Sequence, residues 1–289
     1  MSQFVATISA ESNHPVIGKT ARDEGYPFGS FLLPRPLRPH VAAFYRFARQ
    51  ADDIADSPDI GESDKIALLN RLEAVLDGRY DAAPVAQPTM QFRHSLLATG
   101  LAPAQAKALL AAFRQDARGW RCETWEDLVA YCRLSAMPVG RYLLALHGES
   151  TAAYGPADAL CAAVQILNHI QDCRADQQVL GRVYLPAVWL RAEGASTGEL
   201  TAAGCSPALR RVIDRVLDGT ERLLEEAAPL PRHLDNRRLR AEAAVIHALA
   251  ERLLLLLRSE DPVASRVKLG AVESSLAFCA GLWRAATAW

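Results

Sequence analysis

The 289-residue chain is poor in the signals that would make it a β protein, a metal-finger protein or a membrane-spanning protein. Val, Ile and Thr never alternate with polar residues over a useful length, so strands are not expected. The six cysteines, Cys122, Cys132, Cys161, Cys173, Cys205 and Cys279, form no CxxC pair. Their scatter argues against a zinc site and fits reduced thiols of a cytoplasmic protein better than a disulfide framework. Met1 to Lys19 lacks the apolar core of a secretory signal. The longest strongly apolar run, Leu253 to Leu257 between Arg252 and Arg258, is far too short to span a bilayer. No long Pro/Gly/Ser stretch, block of like charge or internal repeat divides the chain. A single domain over residues 1–289 is therefore expected, with 1–20 the least ordered part. The formal net charge of −1 offers no general basic surface, which argues against a nucleic-acid partner.

What the chain does have is helix. Half of it is hydrophobic, enough for a large core. Ala, Leu, Arg and Glu dominate, and apolar residues recur at spacings of three and four. The pattern predicts an all-α bundle with helices over 37–56, 63–77, 89–99, 103–117, 124–147, 156–175, 206–228, 236–258 and 264–286. Ser57-Pro58 ends the first helix, because a residue before proline resists helical angles. Pro138 should kink the 124–147 helix. Residues 177–187 read as a loop.

Two strings carry chemistry. In Tyr45 to Asp56, a helical rotation of about 100° per residue puts Tyr45, Arg49, Asp52 and Asp56 within an arc of about 60°. In Gln165 to Asp176, the same rotation puts Gln165, Asn168, Asp172 and Asp176 within about 80°, on an otherwise apolar helix. An apolar helix with one polar stripe either faces water there or lines a polar cavity. One such string alone is commonly a solvated helix end; two matched strings with accessory polar groups point to a site.

Carboxylates packed together resist ionisation, and a hard divalent cation removes that cost. Magnesium prefers oxygen ligands and bridges carboxylates to substrate phosphates. Two aspartate walls with magnesium between them would form a diphosphate clamp that neutralises charge on a leaving group, and Arg49 is well placed to add fixed positive charge. An apolar cavity beside the clamp would shelter a carbocation from stray water.

These residues resemble the squalene/phytoene synthase family. The resemblance lies in Leu32-Leu33-Pro34, Phe44-Tyr45-Arg46-Phe47-Ala48-Arg49, Asp52-Asp53-Ile54-Ala55-Asp56, Tyr131-Cys132-Arg133 with Val139-Gly140, and Asn168-His169-Ile170-Gln171-Asp172. Asp176 and Gly181-Arg182-Val183-Tyr184-Leu185-Pro186 complete it. It runs from about residue 25 to about 280, with the motifs in order. It implies an isoprenoid-synthase fold with a central cavity, and magnesium held by Asp52 and Asp56 on one side and by Asn168, Asp172 and Asp176 on the other. Arg49 is then a catalytic diphosphate contact, Tyr45 and Tyr131 are cavity residues that steer the cation, and Gln165, Asn168 and Arg182 bind substrate.

Two departures narrow the resemblance. Gly25-Tyr26-Pro27-Phe28 stands where head-to-head synthases have Ser-Phe, and Leu134-Ser135-Ala136-Met137-Pro138-Val139-Gly140 replaces a Gly-rich run. Both, with Gln171-Asp172-Cys173 and Arg266-Val267-Lys268, resemble the hydroxysqualene synthase branch of the bacterial hopanoid pathway. That branch implies presqualene diphosphate as substrate, ionised with magnesium and quenched by water without a reductant. The alternatives are a head-to-head synthase condensing farnesyl or geranylgeranyl diphosphate, and a non-catalytic assembly factor of the same fold. Intact aspartate strings speak against the last. Neighbouring pathway enzymes are the expected protein partners.

Of the remaining residues, Asp116 reads as a surface or structural carboxylate and His169 as a packed or solvated histidine. Cys132 and Cys173 read as ordinary core thiols, and Trp120, Trp125 and Trp189 as packing. Trp283 and Trp289 suit either end packing or peripheral contact with a membrane surface, where tryptophan is favoured. The 232–240 basic cluster reads as a solvated face.

Overall fold

The computed structural model describes residues 33–79 and 87–287, and among these there is no strand. The expected segment 1–20, the Gly25–Phe28 stretch, Leu32 and Trp289 lie outside the described residues. Eleven helices are labelled here: α1 Arg38–Asp56, α2 Glu62–Leu76, α3 Gln87–Thr99, α4 Ala104–Ala117, α5 Trp125–Ser135, α6 Met137–Leu146, α7 Tyr154–Gln171, α8 Ala187–Glu193, α9 Pro207–Ala227, α10 Arg237–Ser259 and α11 Ala271–Thr287. The all-α expectation holds. The chain divides into two compact units. One takes in the described residues of Met1–Gly119 with Leu134–Glu149; the other takes in those of Trp120–Arg133 and Ser150–Trp289.

In the first unit, α1 is set by prolines at both ends. Pro39 lies in its first turn, where a missing N–H costs nothing. Ser57, before Pro58, leaves helical angles at ψ 126°. The buried face of α1 presents Val41, Phe44, Phe47, Ala48, Ala51 and Ala55. Phe44 stacks on Tyr142 of α6 at 4.3 Å and meets Phe92 of α3 at 5.2 Å. This aromatic knot fixes the rotation of α1 and so the direction of its polar stripe. Each such pair adds about 0.5–1.5 kcal/mol beyond area burial. The Tyr142 hydroxyl donates to His40 O at 3.2 Å, which satisfies the one polar atom the knot buries.

Where one kinked helix was expected over 124–147, there are two, α5 and α6, parted at Ala136. Pro138 sits in the first turn of α6 and starts that helix.

In the second unit, α7 is the central helix. Every residue from Ala159 to Ile170 is buried, so this stretch presents no face to bulk solvent. Helices α9 and α10 pack on it. Ser206 caps α9, accepting from Leu209 N at 3.1 Å, and Asn236 caps α10 through Arg238 N and Leu239 N. Helices α10 and α11 cross closely at Gly281. A Cβ there would meet Val245 Cα at 2.5 Å, so only glycine lets the backbones approach this far. Leu276 and Trp283 stand exposed on the outer side of α11. No helix among the described residues is long and apolar enough to cross a membrane. All six cysteines are free.

Candidate functional site

The first motif lies on α1. Arg49 spans its own helix, with Nη1 3.6 Å from Asp52 Oδ2 and Nε 3.0 Å from Asp53 Oδ1. Burial works against the guanidinium's charge, yet Asp52, Asp53, Tyr45 and Asp56 together hold its pKa above the ordinary value. Asp52 is in the opposite position. Its side chain is 15% exposed. Burial, reinforced by repulsion from Asp56 and from Asp116 on α4, pushes its carboxyl up to about 7, and Arg49 only partly offsets this. Asp116, read from the sequence as a surface or structural carboxylate, stands close enough to disfavour the charge on Asp52. Tyr45 is half-buried on the same stripe. Asp52, Asp53 and Asp56 thus surround Arg49, and Asp116 acts on Asp52.

The second motif straddles the end of α7. The continuous helix expected to 175 is broken: Asp172 leaves helical geometry at φ −101°, ψ 6°, followed by the turn Cys173–Ala175 and a π-helical turn Asp176–Leu180. The register survives, because Asp172 N donates to Asn168 O at 2.9 Å and Asp176 N to Asp172 O at 2.8 Å. Gln165, Asn168 and Asp172 are therefore still stacked turn on turn, at 1%, 6% and 7% exposure. The π turn ends at Gly181, whose φ of 63° favours glycine, and Arg182 N returns to Asp176 O at 3.2 Å. The Arg182 side chain is half-buried.

Two amide oxygens on α7, Gln165 Oε1 and Asn168 Oδ1, are buried without a hydrogen-bond partner among the described residues. Buried polar atoms are normally satisfied, so each marks a place for water, an ion or a ligand group. Among the described residues no three His, Cys, Asp or Glu side chains come together as a self-sufficient metal site. A cation there would have to draw further ligands from water or substrate, as magnesium does.

The linker between α10 and α11 closes over this motif. Gln171 Nε2 donates to Val267 O at 2.6 Å and Arg174 Nη1 to Val263 O at 2.9 Å. Between these two latches, Arg266 Nε lies 2.6 Å from Asp172 Oδ1 and its Nη2 3.4 Å from Oδ2. These contacts explain why 264–270 is not helical as expected: the carbonyl of Val267 within it and that of Val263 just before it are held by side chains of the motif. The sequence offers Arg266 only as part of the Arg266-Val267-Lys268 string. A single basic residue in a linker carries no periodicity to reveal its target.

An aromatic wall adjoins the motif. Tyr131 is buried and stacks on Trp120 at 4.6 Å; Tyr184 lies 5.6 Å from Tyr131 and stacks on His169 at 3.5 Å. His169 is not a solvated histidine. Its Nε2 is 2.9 Å from Gln165 Nε2, its Nδ1 is 3.8 Å from Asp176 Oδ2, and burial holds its pKa below the ordinary value.

Comparison with known proteins places this geometry. The sequence profile of the squalene/phytoene synthase family matches residues 19–273. A hydroxysqualene synthase from Rhodopseudomonas palustris is 42% identical over 260 residues, covering 90% of this chain and 88% of that one. One from Zymomonas mobilis is 39% identical over 272 residues, covering 93% and 91%. The crystal structure of squalene synthase HpnC from Alicyclobacillus acidocaldarius superposes with a TM-score of 0.69 at 31% identity, covering 80% of this chain and 86% of that one.

Proposed function

Since the chain belongs to the squalene/phytoene synthase family and is an isoprenoid diphosphate synthase, we propose that it converts presqualene diphosphate and water to hydroxysqualene and diphosphate, with magnesium. The observation that carries this reading is the second motif: a buried file of oxygen ligands in which Asn168 Oδ1 has no partner among the described residues. Its relatives at 42% and 39% identity carry the name hydroxysqualene synthase, which supports the choice of substrate.

The donor set fits a hard cation. Asp52 and Asp56 on α1, and Asn168, Asp172 and Asp176 at the end of α7, offer oxygen alone. Magnesium held by either group of oxygens would neutralise charge on the diphosphate as the C–O bond breaks. The protein's own residues do the rest. Arg49 offers fixed positive charge to the leaving group, in a stripe where carboxylates already hold it ionised. Tyr45 and Tyr131 present aromatic faces that stabilise a passing cation. Arg182 and Gln165 complete the substrate contacts. Loss of diphosphate from presqualene diphosphate and rearrangement of the cyclopropane give an allylic cation, and water attack with loss of a proton gives the alcohol. No reductant enters this balance.

In this reading the enzyme is cytoplasmic and meets a membrane only at its surface. The exposed Leu276 and Trp283 of α11 support such a peripheral contact. The test is product identity. Purified protein is given farnesyl diphosphate in one reaction and presqualene diphosphate in another, with products resolved by gas chromatography and mass spectrometry. Hydroxysqualene from presqualene diphosphate alone is expected. A C30 product from farnesyl diphosphate would reassign the protein as a head-to-head synthase.

A further inference from the structure

An enzyme that releases an alcohol from a carbocation must bring one water to one carbon and keep others out. We propose that Gln165, held in place by His169, binds the water that captures the cation and so decides that the product is an alcohol. The inference rests on the proposed conversion of presqualene diphosphate.

Gln165 sits in the middle of a helix that is buried on all sides, and it is 1% exposed. An amide in such a place costs free energy unless its atoms are paired. One end is paired: Nε2 lies 2.9 Å from His169 Nε2, one turn along α7. An amide N–H donating there makes His169 Nε2 the acceptor and leaves the imidazole proton on Nδ1, toward Asp176 Oδ2 at 3.8 Å. His169 is itself fixed, stacked on Tyr184 with ring centroids 3.5 Å apart and planes 13° from parallel. The amide of Gln165 is thus oriented by a ring with little freedom to turn. Its other end, Oε1, is buried and has no partner among the described residues.

An acceptor of this kind selects a donor, and water is a donor small enough for a buried site. A water that gives one hydrogen to Oε1 turns its lone pairs away from the amide, ready to attack. The neighbouring acceptor, Asn168 Oδ1, is assigned to magnesium above, which leaves Gln165 to hold the nucleophile. The aromatic rings of Tyr131 and Tyr184 beside His169, with Trp120 packed on both, stabilise positive charge without capturing it. In the step itself, a lone pair of the held water forms the C–O bond to the allylic cation. The protonated alcohol then gives its extra proton to the diphosphate set free by ionisation. His169 acts only as a positioning residue.

The test reads a ratio rather than a rate. Wild type, Gln165→Leu and His169→Phe are each given presqualene diphosphate with magnesium. Hydroxysqualene is measured as a fraction of all C30 products and against diphosphate released. Circular dichroism and melting check that each variant folds. His169→Phe keeps a ring against Tyr184 but removes both nitrogens, the one that orients Gln165 and the one that faces Asp176, so its effect is read in the alcohol fraction and not in the rate. The loss of one hydrogen bond to the nucleophile should lower the alcohol fraction roughly five- to tenfold in Gln165→Leu, with hydrocarbons formed by proton loss taking its place. His169→Phe should lower it by about half that factor, through the freed amide. An unchanged alcohol fraction in either folded variant, with wild type making the alcohol, overturns the water-holding role and leaves the proposed reaction standing. A wild-type enzyme that makes no hydroxysqualene from presqualene diphosphate overturns the proposed reaction and this inference together.

Discussion

Among the described residues Arg266 is the cation paired with Asp172, and its removal gives a quantitative test of how the second motif is balanced. Asp172 has a side chain only 8% exposed, and Arg266 is 27% exposed. The guanidinium reaches both carboxylate oxygens, at 2.6 Å and 3.4 Å. Breaking a fully buried pair costs about 3–5 kcal/mol, because the remaining charge is stranded. More than a quarter of Arg266 reaches solvent, so water can replace part of what it supplies, and a cost of about 2 kcal/mol is appropriate for Arg266→Leu. The linker itself should stay in place, since Gln171 and Arg174 hold it on either side of residue 266. For a protein of this size about 2 kcal/mol corresponds to a fall in Tm of roughly 4–8 °C. Thermal melts in chelator measure it directly. Melts in magnesium then separate charge balance from packing, because a cation that binds the folded state at Asp172 restores the missing charge. The Tm gain on adding magnesium should be larger in Arg266→Leu than in wild type. A variant that melts within about 1 °C of wild type in chelator, with no larger response to magnesium, would refute the reasoning.

Three further outcomes follow from the geometry. Asp52→Asn should abolish turnover while leaving the fold intact, because the swap keeps shape and removes a repelled charge; diphosphate release and circular dichroism check the two halves. Burial, with Asp56 and Asp116, raises Asp52 to about 7, above its unfolded value near 4, so the folded state holds the proton more tightly. That stabilisation is full below about pH 4 and is lost as pH rises to about 7. In magnesium-free urea melts, wild type should therefore lose stability relative to Asp52→Asn between pH 5 and 8. The comparison cancels Glu242, which burial also raises to about 7. A constant difference across that range would contradict the repulsion described. At the crossing of α10 and α11, Gly281→Leu forces a side chain against Val245 Cα, 2.5 Å from the first added carbon. It should lower stability by about 1–3 kcal/mol in denaturant titration, and unchanged stability would mean the two helices part easily.

Much of this molecule is written locally in the chain. Prolines placed the first helix within one residue of its observed Arg38–Asp56, since Pro34 and Pro36 at its entry and Ser57-Pro58 at its end act on their own neighbours. The order of the aspartate strings and their stripes was legible for the same reason: helical rotation converts spacing into a face. What escaped depends on tertiary contacts. Residues 264–270 have helical composition, yet Gln171 and Arg174 draw the Val267 and Val263 carbonyls out of any helix. The loop expected over 177–187 begins instead with a π-helical turn closed by Gly181, and its last residue starts α8. The pairing of Arg266 with Asp172 joins positions 94 residues apart, and spacing says nothing about it. His169 looked like one residue among others because its meaning lies in Tyr184 above it and Gln165 below it.

The most direct test of the central claim is hydroxysqualene formation from presqualene diphosphate with magnesium added back to metal-stripped enzyme. The account predicts no product in chelator and recovery as magnesium is titrated in, with Asp172→Asn folded and inactive throughout. Full turnover in chelator, or full activity in Asp172→Asn, would contradict it.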